Sequence, residues 1–421
     1  MNAIVVHPTD PQADAPSLTR ALSGARAGDV VLVNPGHYAP TRTGETLPLW
    51  IPAGVTVEGA GKTVCIIDGE GQFAPSFNPI RPDLSVLVLG EGACLGNVTV
   101  TNGGGHGIGV PPGGSALIRN CLISRNGDHG VFLCGVGEAV ITGCVFQDNG
   151  HKRFEPALPR GTGARQGHHI FAEARHGQRN HLLITDNSMQ GCFADGIACI
   201  CFFPEADGVT FDATILRNTI EASERGGLLF SCSFGPSQNR LRLVAAENIL
   251  RGNKQFGISV LTAVPLAEKV PEGNYVDALL SGNEIAGSPF GILVQGAVSE
   301  AQRNVCQVTI DRNHMSDYRK NAVRLVGGMG MDGVLTQENA LQAIVSRNTL
   351  IGVTPALLVQ GAGGTGKSNP SHNMVTVRFI DNEVQGGRGP EIMVSDGLES
   401  NRAEVVKDSQ AYTRLEGDLL G

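Results

Sequence analysis

The stretch NRLRLVAAEN (residues 239–248) begins and ends on asparagine. The same pair, nine positions apart, returns in NYVDALLSGN (274–283), NVCQVTIDRN (304–313), NALQAIVSRN (339–348) and NMVTVRFIDN (373–382). Five copies at one spacing mark an internal repeat, and its second asparagine recurs after 35, 30, 35 and 34 residues. Looser copies lie upstream in SALIRNCLIS (115–124), AVITGCVFQD (139–148), HLLITDNSMQ (181–190) and DATILRNTIE (212–221), with Asn, or once Gly143, holding the second place. A further short β-rich run follows the later copies: FGISVL (256–261), FGILVQ (290–295), NAVRLVG (321–327) and PALLVQG (355–361).

A unit of short strands and turns cannot bury its apolar side alone, whereas stacked units can. Alternating positions such as Ile258 and Val260, Ile292 and Val294, or Leu357 and Val359 then pile into an interior column. The asparagines form a hydrogen-bonded ladder at a tight bend. Segments between the two strands of each unit become the loops that tolerate insertion. One of them, GAGGTGKS (361–368), fits a phosphate-binding loop at every position, but Pro370 and the β-rich run 374–379 leave no room for the helix that such a loop requires. Binding of ATP or GTP at Lys367 is therefore not expected.

Preceded by SLTRALSGARAGDVVLVNPGHY (17–38) and LWIPAGVTVEGAG (49–61), these repeats resemble the right-handed parallel β-helix superfamily, which includes pectate lyases, polygalacturonases and alginate epimerases. The resemblance spans about residues 3 to 396. It implies an all-β, single-domain solenoid over 1–396, with an N-terminal cap over about 3–30 and a C-terminal tail or cap over 397–421. Within the cap, Ser17 to Ala25 resembles the short helix that closes the open end of the stack, with Ser17 as N-cap. The same fold hosts unrelated activities, so the resemblance alone names none. GGHG (104–107) is similar to the Gly-His-Gly element of polygalacturonases, but no paired aspartates precede it and no RIK follows, so inverting hydrolysis is not expected. The acidic calcium cluster of pectate lyases is not evident either.

Composition narrows the setting. The 421 residues carry a formal charge of -8 with 5% aromatics, a poor match to nucleic-acid binding. No apolar run approaches the ~20 residues of a membrane span. The opening MNAIVVHPTD has no secretory leader, which leads to the expectation of a cytoplasmic protein. Ten cysteines scatter without a compact spacing. Cys121 and Cys144 share one repeat column and Cys201 and Cys232 another, so they are read as reduced, buried apolar groups.

Histidine carries the more informative chemistry. Aligned on the glycine that opens the second strand, GHGIGV, DHGVFL, GHHIFA and ADGIAC fall in register, which puts His106, His129, His168 and Asp195 in one column on successive coils. In later coils Gly226, Phe256 and Phe290 take that place. Coils ~4.8 Å apart let neighbouring side chains share a substrate, but ligands at that spacing must converge to hold an ion at ~2.1 Å, so no metal is expected there. Beside the column, the stretch 151–181 reverses the local charge: Lys152, Arg153, Arg160, Arg165, Arg175 and Arg179 outnumber Glu155 and Glu173, and five of the eleven histidines lie in it. With its insertion at about 151–167, the basic stretch from His151 to Gln178 is expected to roof an outward-facing cleft lined by the column.

Arginine pairs well with carboxylate or phosphate, so Arg160, Arg165, Arg175 and His169 are the expected substrate contacts. Histidine with aspartate supports proton abstraction beside a carboxylate. The expectation is a cofactor-independent lyase or an isomerase/epimerase acting on an anionic small molecule or oligosaccharide. Two alternatives remain: a biosynthetic cyclase in the same groove, to which Phe193, Phe202, Phe203, Phe211, Phe230 and Phe234 would lend apolar walls, and a non-enzymatic carbohydrate-binding or scaffold solenoid.

Overall fold

In the computed structural model the described residues are 2–73, 81–150, 167–174, 178–201, 207–232, 237–264, 270–298, 301–330, 336–364, 371–387, 390–397, 400–408 and 410–411. The chain divides into two compact units, Met1–Glu173 with Asn180–Ala198 and Asn218–Glu224, and Ala174–Arg179 with Cys199–Arg217 and Arg225–Gly421. Each is built from coils of a right-handed parallel β-helix, with three strands to a coil.

The N-terminal unit starts with Ala3–Val6, which pairs in parallel with Val30–Val33 and, through it, with Thr56–Gly59. Helix α1, Leu18–Gly24, buries Leu18, Ala21 and Leu22. The Ser17 hydroxyl accepts from Arg20 N at 3.3 Å, so the expected capping helix and its N-cap are both present. A carboxylate from another part of the chain completes the cap: Glu45 accepts from Leu18 N at 3.0 Å and Thr19 N at 2.8 Å. The third sheet of this unit, which carries the column, runs through Leu49–Ile51, Ser85–Leu89, His106–Val110, Val131–Cys134 and Ile170–Ala174.

In the C-terminal unit the repeat is regular. Between each asparagine pair lies a seven-residue strand: Arg240–Ala246, Tyr275–Ser281, Val305–Asp311, Ala340–Ser346 and Met374–Ile380 pair in parallel one after another. The residue after each strand turns left-handed, with φ of 57° at Glu247, 64° at Gly282, 53° at Arg312, 53° at Arg347 and 51° at Asp381. The ladder asparagine follows. Asn248, Asn283, Asn313 and Asn348 each donate from Nδ2 to Oδ1 of the next, ending on Asn382, at 2.8–3.0 Å. A second ladder links Asn239, Asn274, Asn304, Asn339, Asn373 and Asn401 at the opposite end of the same strands. The nine-residue spacing is thus one strand with a bend at each end. Inside, Ile258 stacks on Ile292 and Val260 on Val294, all fully buried, and each such side chain contributes about 1.5–3 kcal/mol.

Two expectations need correction. The parallel rungs continue past Asp396, because Arg402–Lys407 pairs with Met374–Phe379 inside the segment read as a tail. In the N-terminal unit the ladder place belongs to Cys121 and Cys144, not to Asn120 and Gly143: Arg119↔Thr142↔Thr185 fixes the register, and Cys144 N donates to Asn187 Oδ1 at 2.9 Å. Gly143, with φ of 64°, fills the left-handed place before it, a conformation that glycine adopts freely. All ten cysteines are reduced thiols, and all but Cys94 are buried. Leu357–Gly364 is a strand that runs into the glycines of GAGGTGKS; Lys367 lies outside the described residues.

Candidate active site

The register places the column on the outer side of its sheet. Trp50 pairs with Val88, Val88 with Gly109, Gly109 with Phe132 and Phe132 with Phe171. Trp50 is 53% exposed while Leu49 and Ile51 on either side are buried, so this row faces outward. Around the corner that opens each strand, the imidazoles of the column pack against the same row. The His106 ring lies 4.8 Å from Phe132, and the Phe171 ring lies 4.6 Å from His129 and 5.2 Å from His168.

Along the column, His106 and His129 stack with centroids 5.0 Å apart and planes 2° from parallel, and His129 and His168 follow at 5.3 Å and 29°. Oδ2 of Asp195 closes the series 3.6 Å from His168 Nδ1. The four expected residues are therefore neighbours on consecutive coils. Backbone N–H groups reinforce the order: His129 N points to His106 Nδ1 at 3.4 Å, His168 N to His129 Nδ1 at 3.3 Å, and Asp195 N to His168 Nδ1 at 3.2 Å. His168 Nδ1 also lies 3.3 Å from Asp195 O, so one tautomer of that ring accepts from Asp195 N and the other donates to Asp195 O.

The column is not the open cleft expected. His106, His129, His168 and Asp195 are all 0–1% exposed. Part of the cover comes from the turn Pro82–Leu84, which lies against the strand His106–Val110. A Cβ on Gly109 would collide with Pro82 O, so only glycine admits that approach. Desolvation pushes His106 down to about 3, opposed by the nearby Asp83 carboxylate, which is itself held by Arg81 at 2.7 Å. Among the described residues His106 Nε2 has no hydrogen-bond partner.

Four further residues join the site. Asp128 is 5% exposed, with Oδ2 3.5 Å from His106 Nδ1 and Oδ1 3.6 Å from His129 Nε2, and burial pushes its carboxyl up to about 7. Phe132 and Phe171 supply the aromatic wall. Glu173, 1% exposed and opposite Cys134, falls on the same face as Phe171 by strand alternation. The signal for Asp128 was the first letter of DHGVFL itself, and the two phenylalanines share a place in the aligned repeats.

Of the expected substrate contacts, Arg160, Arg165 and Arg175 lie outside the described residues, as does most of the expected roof. His169 is corrected. Gly130 N donates to His168 O and Val131 pairs with Ile170, so His169 sits at the inward corner. There its Nδ1 meets Asn149 Nδ2 at 3.1 Å and its ring packs 5.8 Å from Phe146, fully buried, with desolvation pushing it down to about 3. Of the phenylalanines, Phe211 and Phe230 are core, and Phe193 lines a separate cavity of about 230 Å³ with Asp148, Gly191 and Glu224. No column residue lines it.

Two families match overlapping parts of the sequence, one described as "Right handed beta helix region" over residues 85–266 and one as a protein of unknown function, DUF1565, over residues 9–155. No curated protein matches. Among solved structures, the A-module of a mannuronan C-5 epimerase from Azotobacter vinelandii aligns with a TM-score of 0.50 at 13% identity, covering 92% of this chain and 93% of that one. An alginate lyase from a Paenibacillus species aligns at 0.38 and 12%, covering 93% and 99%. A family 28 exopolygalacturonase from Yersinia enterocolitica aligns at 0.39 and 13%, covering 97% and 78%. The coils, ladders and parallel register described above are those of a right-handed parallel β-helix, and the family match over residues 85–266 agrees with that fold.

Proposed function

We propose that the chain is a carbohydrate-acting lyase or epimerase for an anionic, uronate-type sugar, with proton transfer by the outer-face column. The observation that carries this reading is the stack of three imidazoles ending on a carboxylate, Asp195, 3.6 Å from His168. A proton beside a sugar carboxylate is removed by a positioned base, and the developing enolate charge is held by N–H donors. Here His168, with Nδ1–H turned to Asp195, is the base through Nε2, and N–H groups of the other imidazoles of the column are the donors. Returning the proton to the opposite face gives epimerisation, whereas loss of the neighbouring glycosidic oxygen gives β-elimination. The epimerase that shares the fold is named for mannuronan, which makes uronate oligosaccharides the first panel to test.

The test is incubation with uronate oligosaccharides in deuterated water, followed by mass spectrometry and ultraviolet absorbance. Deuterium incorporation without cleavage marks an epimerase, and an absorbing unsaturated end marks a lyase. His168→Gln should cost ~10² to 10⁴ in rate. Sugar binding with no turnover would favour the scaffold reading and sink this one. A biosynthetic cyclase keeps one observation in its favour, the Phe132 and Phe171 rings against the imidazoles, and it is separated by turnover of an apolar substrate.

A further inference from the structure

We infer that His106, Asp128 and His129 form a binding site for a divalent transition-metal ion of the zinc type. Asp128 sits between the two imidazoles, with one oxygen 3.5 Å from His106 Nδ1 and the other 3.6 Å from His129 Nε2. One ligand atom from each of the three lies within 4.8 Å of the others. An ion at ~2.1 Å from its ligands needs donor separations between about 3.4 Å for a tetrahedral pair and about 4.2 Å for donors on opposite sides. The site is therefore ~0.6 to 1.4 Å from closed, within reach of small χ rotations.

The surroundings fit an ion better than they fit a hydrogen-bonded triad. At 3.5–3.6 Å the carboxylate is too far from either ring nitrogen for a normal hydrogen bond, and both partners are buried. Among the described residues no donor stands closer to this carboxylate; its burial is then costly, and an ion supplies a partner. Two nitrogens and one carboxylate favour zinc, cobalt, nickel or iron(II) over the oxygen-loving calcium and magnesium. Three protein ligands also leave coordination positions open, to water or to a substrate carboxylate. The asparagine ladders show the contrast, since every rung there closes its bonds at 2.8–3.1 Å and leaves no place for an ion.

The inference goes beyond the acid–base reading and does not depend on it. Its test is calorimetric titration of chelator-treated protein with zinc chloride, repeated with cobalt(II) chloride and followed by visible absorbance. One zinc ion per chain is expected, not displaced by millimolar calcium. Asp128→Asn, which keeps the side-chain shape, should weaken zinc binding about 100-fold or more, and His129→Gln likewise. His314→Gln, at an exposed histidine, should leave it unchanged. Circular dichroism of each variant keeps loss of fold apart from loss of ligand, and if His129→Gln does not fold, Asp128→Asn decides. Absence of saturable zinc binding overturns the inference, as does zinc binding that Asp128→Asn leaves intact. Zinc binding without sugar turnover supports the site while removing the acid–base reading, and sugar turnover without zinc binding does the reverse.

Discussion

The chain contains two kinds of polar stack, and they are finished differently. In the C-terminal unit each buried asparagine amide is spent: Asn313 accepts from Asn283 N and Nδ2 at 2.9 and 2.8 Å, and donates to Leu280 O at 2.9 Å and Asn348 Oδ1 at 3.0 Å. In the N-terminal unit the histidine column is just as buried, yet His106 Nε2 has no partner among the described residues, and Asp128 stands beyond hydrogen-bond reach of both rings that it faces. A buried polar group without a partner costs about 1–3 kcal/mol. A saturated stack is therefore explained by stability, whereas an unsaturated one calls for a ligand or a reaction.

Breaking a rung should produce the largest effect. Asn313→Ala removes four hydrogen bonds and strands Leu280 O and the Asn283 amide in the interior, so it should cost about 3 to 5 kcal/mol in urea unfolding. His168→Gln, in the other stack, should cost much less in the same assay, since the contacts at its Nδ1 are 3.2–3.6 Å long against 2.8–3.0 Å at Asn313 and glutamine keeps a polar group there. Equal losses would erase the distinction between the two stacks.

A pH experiment sharpens it. His169 is neutral and buried, down to about 3 from an ordinary value of about 6.5. Between those values the unfolded chain binds a proton that the native chain does not, so stability is full above about 6.5 and is lost as pH falls toward 3. His169→Gln keeps an acceptor for Asn149 Nδ2 and removes that proton. Relative to the parent, the variant should gain up to about 3 kcal/mol at pH ~4 and nothing above pH ~7. Unfolding curves at both pH values check this, and a gain that does not depend on pH would mean that packing, not ionisation, sets the difference.

The asparagine spacing made the fold legible, because strand, left-handed residue and ladder asparagine repeat as one unit, and the residues 239–248 already contain all three. The column was legible because glycine follows it at His106, His129 and Asp195 and so marks the corner in three of the four coils. Burial of the column was not: the turn Pro82–Leu84 that lies against it belongs to a different coil, and no period links the two. Nor was the orientation of His169, one residue from His168 but on the opposite side of the wall.

The two places where the ladder reading slipped give the smallest and most specific prediction. At Cys144 the sulfur stands where an asparagine side chain would be: Cys121 N points to it at 3.4 Å, and it lies 3.8 Å from Ile118 O. Those are weak, long contacts, whereas in the next coil Asn187 reaches Ile141 O at 3.0 Å and accepts from Cys144 N at 2.9 Å. Cys144→Asn should put Oδ1 opposite Cys121 N and Nδ2 opposite Ile118 O, adding two net bonds while keeping the 2.9 Å bond to Asn187. Each is worth about 1 kcal/mol less the strain of a slightly larger side chain, so a net gain of about 1 kcal/mol is expected. The urea midpoint should rise with no change in slope. A fall would show that the sulfur column is packed too tightly to take an amide, and that cysteine is a steric choice at these two coils and not a gap in the ladder.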